Sequence, residues 1–179
     1  MTEALHPAPS TRGSRGCRIL PWLAVAAVIV AVDQITKARV LASLALGQVV
    51  PVTSYFDLVL AYNRGAAFSL LSEAGGWQGW LFLAIGVAAC AAIVWMLTTH
   101  PGRIRFAAAL SLILGGALGN IVDRIHYGHV IDFLEFHWNW LRPVFPGGYY
   151  PAFNVADSAI SVGAVLLVVD ELLRIRHRD

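Results

Sequence analysis

Residues 115–124 read GGALGNIVDR and close an apolar run that extends from Phe106 to Ile125. A run of about 20 apolar residues is long enough to cross the hydrocarbon core of a bilayer as a helix. Gly115 and Gly119 are four residues apart, a GxxxG spacing that lets two membrane helices approach closely. The stretch therefore predicts a membrane helix packed tightly against another helix.

The composition of the whole chain indicates an integral membrane protein. Of its 179 residues, 58% are hydrophobic and only 13% are charged, whereas a soluble domain carries roughly a quarter charged residues. Three further apolar runs, at 19–41, 77–97 and 155–173, are long enough to span a bilayer. We therefore predict an all-α membrane protein, a bundle of four transmembrane helices.

The segment between the first two apolar runs predicts a small β element. Phe56, Leu58, Leu60 and Tyr62 alternate with other residues, as in a short strand lying at the membrane surface. Asn63-Arg64-Gly65 then follows as a turn.

The sequence predicts three structural units along the chain. Residues 1–18 are rich in Pro, Ser, Gly and Arg and predict a disordered cytosolic extension. Residues 19–173 form the membrane domain, and residues 174–179 form a basic cytosolic tail. A cleaved signal peptide is the alternative interpretation of the first run, but helix-forming sequence continues past its apolar part to Lys37.

Basic residues near the ends of the runs predict the orientation. With four spans, eight arginines fall on one side, namely Arg12, Arg15, Arg18, Arg103, Arg105, Arg174, Arg176 and Arg178. Because cytoplasmic loops carry the excess of positive charge, both termini are expected in the cytoplasm. Segments 42–76 and 126–151 then face outward. Trp138, Trp140, Tyr149 and Tyr150 in the second of these segments fit an interfacial aromatic belt.

The polar residues near the predicted helix ends gather on the outer side. They are Asp33, Lys37, Asn63, Asn120, Asp123, Arg124, Asp132, Asn154 and Asp157. This asymmetry indicates a site near the outer interface rather than a conduction path through the bilayer.

Asp132 and Asp157 are the candidate catalytic residues. We expect both at helix ends on one face of the bilayer, where a carboxylate is costly and therefore informative. Two converging carboxylates share a proton and can activate water for peptide hydrolysis. Asp157 also has a structural explanation, since Asn154 followed by an acid three residues later resembles a capping box.

Structural alternatives stay open for the other polar residues. Asp33 and Lys37, four residues apart, form an ion pair on one helix face or support the site. Arg124 completes a polar helix end, orients Asp132 or steadies the outer loop. The outer-loop histidines His126, His129 and His137 leave a zinc site open, although no HExxH motif is present.

Two other function classes compete with hydrolysis. A small transporter could use membrane acids as a proton relay, but no acid lies near the middle of a predicted span. A structural or assembly protein would use the same polar residues only to satisfy helix ends.

Five stretches in order carry a resemblance to a known family. They are DQITK at 33–37, NRGAAF at 63–68, GGALGNIVDR at 115–124, VIDF at 130–133 and FNVADS at 153–158. With four apolar runs among them, the chain resembles the bacterial lipoprotein signal peptidases, also called signal peptidase II, from Ile19 to Leu173.

The resemblance implies a four-helix inner-membrane aspartic peptidase, with its small β element and extended loop on the outer side. Its substrate would be a diacylglyceryl-modified prolipoprotein, cut just before the lipidated cysteine. The catalytic pair maps onto Asp132 and Asp157. Supporting residues map onto Asp33, Lys37, Asn63, Gly65, Asn120, Asp123, Arg124 and Asn154. It implies no metal, cofactor or nucleic acid, a monomer, and membrane lipid as surroundings. Segment 137–150 departs from the family by being longer.

Overall fold

The computed structural model describes residues 15–65, 77–100 and 102–176. Most of the predicted amino-terminal extension, with Arg12, lies outside these residues, and so does Arg178. The described chain forms four long helices: α1 (Arg15–Ser43), α2 (Trp77–Thr99), α3 (Ile104–Tyr127) and α4 (Val155–Arg176). It also forms three strands: β1 (Val49–Pro51), β2 (Phe56–Asn63) and β3 (Val130–Phe136).

The helix boundaries differ from the predicted units at both ends of the membrane domain. α1 begins at Arg15, so residues 15–18 are helical rather than part of a disordered extension. α4 continues to Arg176, so residues 174–176 of the predicted tail extend that helix.

Three of the described helices are long and apolar enough to cross a membrane. The stretches are Ile19–Ser43, Gly79–Thr99 and Ile104–Tyr127, with mean hydropathies of 1.9, 2.4 and 1.6. α4 carries Asp157 in its first turn and Asp170 and Glu171 near its other end, which shortens its uncharged stretch. The protein is therefore a mostly helical multi-pass membrane protein.

α3 is the centre of the helix bundle. In the 18-residue apolar stretch of α3, 61% of the residues are buried, whereas the corresponding shares are 11% in α1 and 17% in α2. Leu110 and Leu114 of α3 are almost completely buried and join a core with Ile93 and Leu97 of α2. The other helices thus bury one face against α3 and leave their apolar outer faces exposed, as lipid contact requires.

Glycines on α3 allow the close helix contacts that GxxxG predicted. A Cβ atom at Gly115 would lie 2.7 Å from Cβ of Ile29 on α1. At Gly116 it would collide with the carbonyl oxygen of Ala156 on α4. The prediction of tight packing is confirmed, and the glycines of α3 serve two neighbours instead of one.

The strands form one antiparallel sheet in the order β1-β2-β3. The predicted strand is confirmed as β2, while β1 and β3 were not predicted. α3 ends at Tyr127, and the next residue, Gly128, has a left-handed φ of 74° that turns the chain into β3. Ala61 of β2 pairs with Asp132 of β3. The expectation that Asp132 lies at a helix end is therefore wrong, because it lies within a strand.

The long segment 137–150 is anchored to the sheet by aromatic stacking. Two short 3-10 turns, Asn139–Leu141 and Pro146–Gly148, shape it. The ring of Trp138 stacks on Phe136 and on Tyr55, with centroid distances of 5.5 and 6.2 Å. Segment 137–150, which connects β3 to α4 along the chain, thus packs on the end of the sheet through the Trp138 ring.

We expect Gly116→Ala to destabilise the fold. The added methyl group meets a backbone carbonyl of α4, which cannot move without displacing the helix. Overpacking of this kind costs about 1–3 kcal/mol, which denaturant titration in detergent micelles would measure. Gly86→Ala is the matched control, because its Cβ would meet only the side chain of Ile121, at 3.2 Å. Equal stability of the two variants would contradict the helix contact at Gly116.

Candidate active site

A buried ion triad lies where α1 meets α3. Nζ of Lys37 is 2.7 Å from Oδ2 of Asp33 and 2.7 Å from Oδ2 of Asp123. The lysine side chain is 2% exposed and both carboxylates are 0% exposed. Buried charges persist only when they are paired and hydrogen-bonded. The ion pair expected between Asp33 and Lys37 is present, with Asp123 as a second acid.

Hydrogen bonds connect the triad to α4 and to β3. Oδ1 of Asp33 accepts a hydrogen bond of 2.9 Å from the backbone N–H of Ala156, in the first turn of α4. Oδ2 of Asp123 accepts one of 3.1 Å from the backbone N–H of Ile131, in β3. The triad therefore fixes the position of both segments that carry the candidate catalytic acids.

Gln34 belongs to this network, and sequence reasoning missed it. Its Nε2 donates to Oδ1 of Asp123 at 2.9 Å and to the carbonyl oxygen of Gly119 at 3.2 Å. The available signal was its place inside DQITK, between two residues that were predicted to be polar site residues.

Asn120 lies between the triad and Asp157. Its Oδ1 accepts hydrogen bonds of 3.1 Å from Nζ of Lys37 and 3.1 Å from Nδ2 of Asn154. Its Nδ2 donates to Oδ1 of Asp157 at 2.7 Å.

The capping box predicted at the start of α4 is confirmed. The backbone N–H of Asp157 donates to Oδ1 of Asn154 at 2.9 Å, and the backbone N–H of Asn154 donates to Oδ2 of Asp157 at 3.3 Å. The same asparagine donates from Nδ2 to Oδ1 of Asp132 at 2.8 Å. Asn154 thus caps the helix with its side chain and contacts both carboxyl groups, that of Asp132 through its side-chain NH₂ and that of Asp157 through its backbone N–H.

Asp132 is 2% exposed. Burial, and after it the charge of Asp157, raises the pKa of Asp132 to about 7. Hydrogen bonds from Asn63 and Asn154 and the charge of Lys37 act in the opposite direction. Near neutral pH a large fraction of this carboxyl group is therefore protonated.

Asn63 and Gly65 position Asp132 from the end of β2. Oδ1 of Asn63 accepts a hydrogen bond of 2.8 Å from the backbone N–H of Gly65, which leaves its amide group for Asp132. Gly65 has a left-handed φ of 91°, and a Cβ there would collide with the ring of Phe82. Only glycine satisfies both constraints. Residues 66–76, which follow, lie outside the described part of the chain.

Arg124 has a different environment from the other predicted residues. It donates to the carbonyl oxygen of Asn120 at 3.3 Å, and its guanidinium carbon lies 5.7 Å from the ring centroid of Phe82. Within the described part of the chain, Asp132 accepts side-chain hydrogen bonds from Asn63 and Asn154 and none from Arg124.

The outer-loop histidines contact rings, backbone or a single acid. The ring of His129 packs on Tyr62 with centroids 4.0 Å apart, and Nε2 of His137 is 3.3 Å from Oδ2 of Asp57. Nδ1 of His126 is 3.0 Å from the carbonyl oxygen of Val122. Within the described residues, no group of three or more His, Cys, Asp or Glu side chains is arranged to hold a metal ion.

Comparison with known proteins gives one consistent result. The model of the family described as signal peptidase (SPase) II matches residues 25–173. The chain is 53% identical over 170 residues to the lipoprotein signal peptidase of Ralstonia nicotianae, covering 95% of this chain and 94% of that protein. It is 54% identical over 172 residues to the lipoprotein signal peptidase of Paraburkholderia phytofirmans, covering 94% of each.

A solved structure shares the fold. It is a bacterial membrane enzyme determined by the in meso method at 2.3 Å resolution. The TM-score is 0.76 at 27% sequence identity, covering 90% of this chain and 93% of that one.

We expect Lys37→Met to destabilise the protein by about 3–5 kcal/mol, since removing one partner leaves uncompensated buried carboxylates. Denaturant titration in micelles would measure this loss. Arg39→Met is the matched control, because Arg39 lies on the same helix but is exposed, and its change should stay within about 0.5 kcal/mol. A similar loss in both variants would show that the ammonium group is not what stabilises the triad.

Proposed function

Because this chain belongs to the signal peptidase II family, we propose that it removes signal peptides from diacylglyceryl-modified prolipoproteins by cutting just before the lipidated cysteine, with Asp132 and Asp157 as the catalytic dyad. The family assignment identifies a membrane peptidase of the aspartic type that acts in prolipoprotein processing. The dyad and the position of the cut are the proposed part.

One observation carries the proposal of the dyad. Asn154 donates to Asp132 through its side chain and exchanges two hydrogen bonds with Asp157 through the capping box. The two carboxyl groups therefore both accept hydrogen bonds from Asn154, one from its side chain and one from its backbone. The charge of Asp157 contributes to the raised pKa of Asp132. Two acids placed so that only one ionises readily are suited to general acid–base chemistry.

The hydrogen bonds favour Asp157 as the ionised member. Its Oδ1 accepts from Asn120 and its Oδ2 accepts from the backbone N–H of Asn154. It also lies in the first turn of α4, where the helix dipole stabilises an anion. Asp132 then holds the shared proton.

The reaction follows from this assignment. Asp157 takes a proton from a bound water molecule, whose oxygen attacks the scissile carbonyl carbon. Asp132 donates a hydrogen bond to the carbonyl oxygen as negative charge develops there. When the tetrahedral intermediate collapses, the proton on Asp157 passes to the leaving amine. No covalent bond to the enzyme forms in this scheme.

We extend the proposal to the topology, with α4 as a fourth span. A Cβ at Gly116 would meet Ala156, and one at Gly163 would lie 2.7 Å from the carbonyl oxygen of Ala109. α4 therefore returns antiparallel along α3. Its 22 residues give a length of about 33 Å, which matches the hydrocarbon core.

We further propose that the bundle lies in the bacterial inner membrane with both termini in the cytoplasm. Arg103 and Asp170 form an ion pair of 2.5 Å at the end of the bundle away from the dyad. Further arginines lie near this end, which favours cytoplasmic termini and a site near the outer face. We also propose a monomer surrounded by membrane lipid.

Asp132→Asn and Asp157→Asn should each lower the rate of cleavage by at least about 10⁴-fold, as removal of a catalytic group does in other peptidases. The measurement is cleavage of a diacylglyceryl-modified prolipoprotein by purified protein in detergent or lipid. Asp170→Asn is the matched control, since Asp170 lies on the same helix as Asp157 but at its other end, and it should remain active. If either dyad variant, shown to be folded, stayed within tenfold of the unsubstituted protein, the dyad assignment would be wrong.

The pH dependence should report the proton on Asp132. Since the pKa of Asp132 is raised to about 7 and its protonated form is the active one, kcat/KM should fall as the pH rises through this value. Asn63→Ala should move this decline to higher pH, because the hydrogen bond from Asn63 lowers the pKa of Asp132. A decline that moves to lower pH in this variant would argue against Asp132 as the protonated member.

A further inference from the structure

Asn120 connects the buried ion triad to the proposed dyad. We infer that Asn120 is a positioning residue that makes Asp157 a hydrogen-bond acceptor, and hence the base of the dyad, because Lys37 fixes which end of its amide faces Asp157. The inference rests on the proposed function. It explains why Asp157 acts as the base and Asp132 holds the proton.

The orientation of the Asn120 amide is decided by Lys37. A carboxamide has one accepting oxygen and one donating NH₂ group of nearly equal size, so its direction must be inferred from its partners. An ammonium group can only donate. The atom of Asn120 that lies 3.1 Å from Nζ of Lys37 must therefore be the oxygen. The NH₂ group then points at Asp157, 2.7 Å away.

A second amide supports the same direction independently. The backbone N–H of Asp157 can only donate, so the atom of Asn154 that it reaches at 2.9 Å is the oxygen. The NH₂ group of Asn154 then faces the oxygen of Asn120 at 3.1 Å and Oδ1 of Asp132 at 2.8 Å. Two fixed donors at opposite ends of the network thus impose one consistent direction of hydrogen bonding.

This direction makes Asp157 a hydrogen-bond acceptor at both of its oxygens. Both oxygens of Asp157 face groups that donate and cannot accept, the NH₂ of Asn120 and the backbone N–H of Asn154. A hydrogen bond to the charged form of a carboxyl group favours that form. Asp132 also accepts from two amides, those of Asn63 and Asn154, but it lies in a strand. Asp157 lies in the first turn of α4, where the helix dipole adds to its hydrogen bonds in favouring the anion. Asp157 is thereby kept as the proton acceptor, and the proton of the pair is left to Asp132.

The surrounding structure prevents the amide from turning over. Asn120 is 7% exposed and Lys37 is 1% exposed. A reversed amide would direct N–H groups at the ammonium and an oxygen at the carboxylate, which replaces two attractions by two repulsions. The charged groups around Asn120 are Asp33 and Lys37 on α1, Asp123 and Arg124 on α3, Asp132 on β3 and Asp157 on α4.

The test compares Asn120→Asp with Asn120→Leu over a range of pH. Leucine has a similar volume but no donor, so Asn120→Leu should lower kcat/KM by about 100-fold or more at every pH, as loss of one preorganised donor does. The carboxyl group introduced by Asn120→Asp donates only while it is protonated. Asn120→Asp should therefore regain activity as the pH falls, with the alkaline decline of kcat/KM at lower pH than in the unsubstituted protein.

Two simpler roles predict different results, and either would overturn the inference. If Asn120 only fills space, both variants change kcat/KM by a factor that does not depend on pH. If only the added negative charge matters, Asn120→Asp moves the alkaline decline to higher pH, because Asp132 then holds its proton more strongly. Asn120→Asp keeps the shape of the side chain, so its profile decides the question even where Asn120→Leu does not fold.

Two controls complete the experiment. Asn139→Asp introduces the same charge change at an exposed position and should leave the pH profile unchanged. Asp132→Asn and Asp157→Asn are measured beside it. If both are inactive while Asn120→Asp shows no shift to lower pH, the positioning role fails and the proposed function stands. If either is active, the proposed function itself fails.

Discussion

The whole structure depends on keeping one ammonium group, that of Lys37, paired in a place that water does not reach. A buried cation needs opposite charge and hydrogen-bond acceptors on all sides. Lys37 obtains them from Asp33 on its own helix and from Asp123 and Asn120 on α3. Oδ1 of Asp33 also accepts from a backbone N–H of α4, and Oδ2 of Asp123 accepts from a backbone N–H of β3 in addition to Lys37. Pairing one charge therefore joins four elements at one point.

Close packing of helices makes this pairing possible. The ion triad can form only if the backbones of α1 and α3 approach to within side-chain reach of each other. Gly119 provides the space, since a Cβ there would lie 2.6 Å from Oδ2 of Asp33. The glycines that allow the helices to pack closely in the membrane thus also leave space for the buried polar side chains. The site and the fold therefore share contacts between α1 and α3.

The sequence predicted those features that local spacing determines. The i, i+4 spacing gave the pair of Asp33 and Lys37, the three-residue spacing gave the capping box, and the alternation of apolar residues gave β2. β3 was missed because apolar residues stand at five of its seven positions, VIDFLEF, without the polar alternation of an exposed strand. The sequence indicated Asp123 as a polar site residue but did not predict its ion pair with Lys37, because the two residues are far apart in the chain. Arg124 and Lys37 are both possible partners for an acid on α3, and only the packing of α1 against α3 decides between them.

The capping box at the start of α4 has a consequence for the order in which the molecule comes apart. The first turn of a helix is ordinarily among the first parts of a protein to open, with little effect on the remainder. Here that turn holds Asp157, its cap holds Asp132, and its Ala156 N–H is bound by the triad. Opening a single turn would separate the two acids while the bundle remained intact. Heating should therefore abolish catalytic activity at a lower temperature than the one at which the helices unfold.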